Sequence, residues 1–164
     1  MGRNKMFLAK KFIADAMLGK LATWLRIMGY DCEFTPHDLR DAALMLLEAR
    51  EPGAVLLTRD TRLMAHKAEV RIILFREQRW RDQLKKLFKE LNIKPDVKNF
   101  FTRCTLCNKT LIAIPREEAL KAAPPQSAGH DYAFSKCPAC GHIYWPGTHL
   151  DAVKREIART LADL

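Results

Sequence analysis

A parallel α/β sheet followed by a small cysteine-rich module is the architecture that this 164-residue sequence predicts. Two observations carry the sheet. Short apolar runs alternate with amphipathic stretches over the first 91 residues, the pattern of repeated βαβ units. Within them, "AVLLT" at 54–58 is a continuous apolar run, which suits a strand covered on both faces. The third observation is a pair of Cys-x-x-Cys motifs in the last part of the chain.

Taken in order, Lys11–Asp15 reads as the first strand. Apolar residues at 18, 21, 22, 25 and 28 then recur at helical spacing, and Gly29 stops the helix. Cys32–Thr35 is a second strand ended by Pro36, and Asp38–Arg50 a second helix closed by Pro52-Gly53. Ala54–Thr58 ends in "TRD", a short helix spans 61–67, and Arg71–Phe75 is the fourth strand. Trp80–Leu91 is a basic helix with an apolar stripe of Trp80, Leu84, Leu87 and Leu91. "NIKPDVKN" at 92–99 reads as a linker, and Leu150–Leu164 as a closing helix. The division expected is 1–97 for the α/β domain and 98–164 for the cysteine module with that helix.

The net charge is +9, and most of the excess lies in the first 98 residues. Such an excess favours polyanionic partners and carries no information on fold. No apolar run approaches the ~18–20 residues of a membrane span, and the basic N-terminal stretch lacks the apolar core of a secretory signal. A cytoplasmic protein is expected, in which paired cysteines point to metal rather than to disulfides.

Cys104, Cys107, Cys137 and Cys140 can surround one tetrahedral Zn²⁺. Asn108 and Gly141 directly follow the two knuckles, and residues of this kind let the backbone curl so that its amides face the sulfurs. Cys32 stands alone in a strand and reads as a small apolar residue.

Asp15 and Asp60 each fall at the carboxyl end of an expected strand, where parallel sheets bind ligands. Gly19-Lys20 does not make a phosphate-binding P-loop, since Ala14 stands where the first glycine belongs and Leu21 follows the lysine. A phospho-accepting receiver would need a second acid beside Asp15. A haloacid-dehalogenase-type phosphatase would need one at 17, which is methionine. Separated carboxylates that share hard cations such as Mg²⁺ remain. Lys20, Thr23 and Arg26 recur at spacing three beyond Asp15 and form either a phosphate-contacting strip or the wet face of a helix. Thr58 and Arg59 flank Asp60, with Thr58 suited to orient a carboxylate or to contact substrate.

"FIADAMLGKLATWLRIMGYD", "LLTRD", "CTLCN" and "CPACGHIYWPGTH" together resemble the PIN-like RNase family named from the C-terminal domain of the mutator-seven exonuclease. The resemblance implies a PIN-like α/β/α domain fused to a zinc ribbon, and metal-dependent cleavage of RNA that leaves a 5′ phosphate. It assigns Asp15 and Asp60 as Mg²⁺ or Mn²⁺ ligands and turns Lys20 and Arg26 towards substrate. A third acid belongs near the start of the second helix. Asp41 is preferred and Asp38 competes; helix capping is the other use of both. The function expected is a ribonuclease acting on RNA, single-stranded by preference, with a ribonucleoprotein as a further partner. The alternative is a non-catalytic RNA-binding adaptor on the same fold.

Overall fold

The computed structural model describes residues 11–34, 42–121, 132–145, 147 and 149–163. Four parallel strands form the main sheet: β1 (Lys11–Ala14), β2 (Cys32–Phe34), β3 (Ala54–Thr58) and β4 (Ile72–Leu74). Their spatial order is β2-β1-β3-β4. Helix α1 (Gly19–Ile27) joins β1 to β2, and α2 (Ala42–Ala49) leads into β3. A 3-10 helix (Thr61–His66) separates β3 from β4, and α3 (Trp80–Leu91) follows β4.

Strand periodicity decides which helix covers which face, because successive side chains point to opposite sides. Phe12, Ala14, Val55 and Leu57 pack with Leu21 and Leu25 of α1 and Leu84 and Leu87 of α3. Ile13, Ala54 and Leu56 pack instead with Met45 and Ala49 of α2 and with Leu63. The result is an α/β/α sandwich, and every residue of β3 is buried, as the apolar run predicts. In α3 the stripe of Trp80, Leu84, Leu87 and Leu91 is core, and Asn92 at φ 51 caps the helix.

A second sheet is antiparallel, in the order β5-β6-β7, from Ile112–Ile114, Phe134–Lys136 and Ile143–Tyr144. A short helix α4 (Arg116–Leu120) follows β5, and α5 (His149–Thr160) follows β7. Two segments depart from expectation. Helix α5, assigned to the cysteine module, returns to the main core: Ile157 is buried there, with Val153 and Leu161 packed alongside. A spacing of four puts those three residues in one stripe, and Arg81–Glu156 and Lys85–Asp163 ion pairs tie the region to α3. Residues 92–99, read as a linker, contain a 3-10 turn (Val97–Asn99) that lies tightly on Gly29. Gly29 has φ +86, and a Cβ there would stand 2.2 Å from the Asn99 carbonyl oxygen. No helix among the described residues is long and apolar enough to cross a membrane.

Candidate active site and metal centre

β1 and β3 run side by side in parallel register, with Ala14 opposite Leu57. One step further along the two strands come Asp15 and Thr58. β2 lies beyond β1 and β4 beyond β3, so the chain leaves this central pair in opposite directions. Such a reversal opens a crevice at the carboxyl ends of an open parallel sheet. Asp15 sits in it at 7% exposure.

Three donors fix the Asp15 carboxylate. Oδ1 accepts from the Met17 amide at 2.9 Å. Oδ2 accepts from the Thr58 hydroxyl at 2.6 Å and from the Arg59 amide at 2.7 Å. The Thr58 oxygen in turn accepts the Asp60 amide at 2.9 Å. One buried hydroxyl thereby positions both the carboxylate of Asp15 and the backbone of Asp60. With two donors on Oδ2, the unfilled lone-pair direction of Asp15 is on Oδ1.

Asp60 caps the following 3-10 helix: Oδ1 accepts the Arg62 amide at 2.9 Å, and the Arg62 guanidinium bonds both carboxylate oxygens. These hydrogen bonds hold the Asp60 carboxyl below the usual carboxylate range, so it is ionised at neutral pH. Arg62 is almost wholly in solvent, so the pair costs little to open.

Four sulfurs form a second centre. The Sγ separations are 3.4 Å for Cys104–Cys107, 3.2 Å for Cys107–Cys137 and 3.7 Å for Cys104–Cys140. All four sulfurs lie within 4.8 Å of one another. Thiolates about 2.3 Å from a shared tetrahedral zinc stand about 3.8 Å apart, so the donor set fits such an ion. Asn108 and Gly141 adopt φ of +64 and +74. Their amides close the two knuckles onto the Cys104 and Cys137 carbonyls. The Tyr144 hydroxyl lies 3.1 Å from the Cys104 sulfur. Burial raises the Cys104 thiol, but that hydroxyl and the Cys107 and Leu106 amides outweigh it and bring it down to about 6. Among the described residues no other group of three or more His, Cys, Asp or Glu side chains converges in this way. Asp41 and Asp38, the expected third acids, lie outside the described residues.

A family model described as the Mut7-C RNAse domain matches residues 10–157. The chain belongs to the Mut7-C RNAse domain family. Neither a curated protein nor a solved structure matches it. The Mut7-C match runs from the edge of β1 into α5, and so takes in both the carboxylates and the four cysteines.

The contact between these two parts of the Mut7-C fold corrects the expectation for Arg26. Its side chain is not on the wet face of α1; the residue is 3% exposed. Nε donates to the Cys32 carbonyl at 2.8 Å, and Nη1 to the Thr105 and Leu106 carbonyls at 3.0 and 2.9 Å. The last two lie inside the first cysteine knuckle. Arg26 therefore clamps the knuckle to β2, and its burial closes it to phosphate. Thr58 is corrected likewise: fully buried beneath Asp15, it orients the carboxylate and is closed to substrate. Arg59 contributes its backbone amide to Asp15. Lys20 is exposed on the first turn of α1, and Asp82 lies on the exposed side of α3.

Three side chains have roles that the sequence did not show, Asn108 having been read only as a turn residue. Asn108 is buried, accepts the Cys32 amide at 3.1 Å and donates to Asp31 at 2.7 Å. Arg103 bridges the Gly29 and Asn108 carbonyls. Arg62 neutralises Asp60 from two positions away, and an Asp followed by Arg at a helix start was the available signal.

Proposed function

We propose that this Mut7-C chain is a metal-dependent ribonuclease that hydrolyses phosphodiester bonds of single-stranded RNA. The supporting observation is the Asp15–Thr58–Asp60 arrangement at the switch point of a parallel sheet. Asp15 and Asp60, with Asp41 or Asp38 as the third acid, are the ligands for Mg²⁺ or Mn²⁺; hard oxygen donors suit these ions. When bound, the cation supplies positive charge to the reacting phosphate and lowers the pKa of water. Thr58 and the Arg59 amide keep Asp15 in a single orientation, with Oδ1 the oxygen able to take a further partner. Arg62 holds the Asp60 carboxylate, and this exposed pair would have to open for Asp60 to serve as a cation ligand. The four cysteines bind Zn²⁺ as a structural ion, a use of paired cysteines expected in the cytoplasm, where disulfides are rare.

The test is cleavage of single-stranded RNA by the purified zinc-loaded protein with and without added Mn²⁺. Asp15→Asn and Asp60→Asn should each abolish metal-dependent cleavage. RNA binding without cleavage in the parent protein would favour the adaptor reading.

A further inference from the structure

A cleft of about 380 Å³ opens between the start of α1 and the loop that joins β4 to α3. Met17, Lys20, Gln78, Arg79 and Trp80 are among its lining residues, and no described carboxylate lines it. Met17 connects it to the candidate active site. Its amide donates to Asp15, while the residue itself is 63% exposed on the cleft side.

The cations in the cleft are not equivalent. Arg81 is committed: it pairs with Glu156 and lies over the Trp80 ring at 4.7 Å. Lys20 and Arg79 are exposed, and neither side chain has a hydrogen-bond or ion-pair partner among the described residues. They come from segments almost sixty residues apart in the chain, and only the fold brings them to one cleft.

The loop that carries Gln78 and Arg79 is held from behind. Gln83 Nε2 donates to the Glu77 carbonyl at 2.9 Å, and Lys86 Nζ to the Leu74 carbonyl at 2.7 Å. The Phe75 amide donates to the Thr58 carbonyl at 2.8 Å. Thr58 is the residue that orients Asp15, so the loop and the carboxylate share one support. A stiff loop that presents an unpaired cation has little ordering cost left to meet on binding.

We propose that this cleft is a subsite for a phosphodiester group of a single polynucleotide strand, adjacent to the group cleaved at Asp15. Lys20 and Arg79 share its non-bridging oxygens. The guanidinium fork matches two oxygens of one phosphate, and the ammonium adds a point charge. An acidic site alone repels a polyanion, and cations beside it offset that repulsion. The inference rests on the ribonuclease reading for the identity of the ligand.

The experiment measures the anisotropy of a short fluorescein-labelled oligouridylate on zinc-loaded protein across a salt series, without added Mg²⁺ or Mn²⁺. The proteins are the parent, Lys20→Ala, Arg79→Ala, their double variant, and Lys154→Ala on α5 as a distant control. Cleavage of the same strand with added Mn²⁺ is followed in parallel. One lost phosphate contact on a single strand should lower the slope of log K against log salt by about 0.7. Over the decade from 1 M down to 0.1 M salt that slope is about five-fold in affinity. Since both cations serve one phosphate, the double variant should lose less than the two single losses combined. If both single variants bind like the parent while the parent cleaves, the subsite is wrong and the ribonuclease reading stands. If the variants lose affinity but the parent does not cleave, the subsite stands and the hydrolytic reading falls. A parent that neither binds nor cleaves overturns both.

Discussion

Replacing Arg26 by methionine removes one guanidinium and leaves three carbonyls to find other partners. The Cys32 carbonyl is enclosed, since Cys32 is fully buried, and a buried acceptor left unpaired costs about 1–3 kcal/mol. The Thr105 and Leu106 carbonyls lie beside an exposed Leu106, where water can replace the arginine, so each should cost nearer to the net value of about 0.5–1.5 kcal/mol. The expected loss is then about 4 kcal/mol, which for a chain of this length lowers Tm by about 8–16 °C. Arg26→Lys should recover only part of this, because an ammonium cannot reach three divergent carbonyls at once. Differential scanning calorimetry measures the loss, and a chromophoric zinc indicator measures how fast the metal leaves. Zinc should leave Arg26→Met faster than the parent. A variant that melts within about 1 kcal/mol of the parent, keeps its zinc and instead loses RNA affinity would refute the clamp. That result would restore Arg26 to the phosphate strip expected from the sequence.

Three further outcomes follow from the same contacts. Asp15→Asn should cost about 1–3 kcal/mol of stability as well as cleavage, because an amide cannot accept on both sides as the carboxylate does; Asp60→Asn at the surface should cost cleavage alone, within about 0.5 kcal/mol. Equal stabilities in calorimetry would contradict the buried role of Asp15. Cys107→Ser should release the metal and raise hydrogen exchange at 31–34 as well as in the knuckle, since Asn108 and Arg26 bond Cys32 directly; unchanged exchange there would mean that the knuckle does not support β2. The Arg81 guanidinium holds the Glu156 carboxyl below the usual glutamate range. A folded value below the unfolded one means that the stabilisation is present above the ordinary glutamate pKa of about 4.3 and is lost as pH falls through the lowered value. Parent and Glu156→Gln should therefore differ in Tm at neutral pH and converge in acid; a constant difference would exclude the ion pair as the cause.

Much of the sheet was legible because it rests on local regularities. A run covered on both faces has to be apolar at every position, and "AVLLT" met that condition at β3. Asp15 and Asp60 follow adjacent parallel strands, and the Ala14–Leu57 pairing brings the Asp15 carboxylate to the Thr58 hydroxyl, which also takes the Asp60 backbone amide. The left-handed backbone of Asn108 and Gly141 was legible for a similar reason, since each knuckle has to curl where those residues stand. Arg26 was not. Helical spacing places it on α1 but cannot say what lies above it, and its partners are 79 and 80 residues away. The same limit hid α5: its stripe shows that one face is buried, while only the fold shows that α3 is what it meets.

The clamp also explains why the cysteine module cannot be a passive appendage. β2 is an edge strand of only three residues, and such an edge presents unpaired amides and carbonyls to any passing strand. In parallel pairing with β1, the amide and carbonyl of Cys32 point away from the sheet, because β1 bonds the residues on either side. Asn108 Oδ1 takes that amide and Arg26 Nε gives to that carbonyl. Both contacts depend on the knuckle. Asn108 reaches the strand because its backbone is left-handed at the turn after Cys107, and Arg26 is held level by the Thr105 and Leu106 carbonyls. A metal that fixes the Cys104–Cys107 turn therefore also closes the open edge of the main sheet. The β1–β2 pair that it protects is the one whose inner strand delivers Asp15.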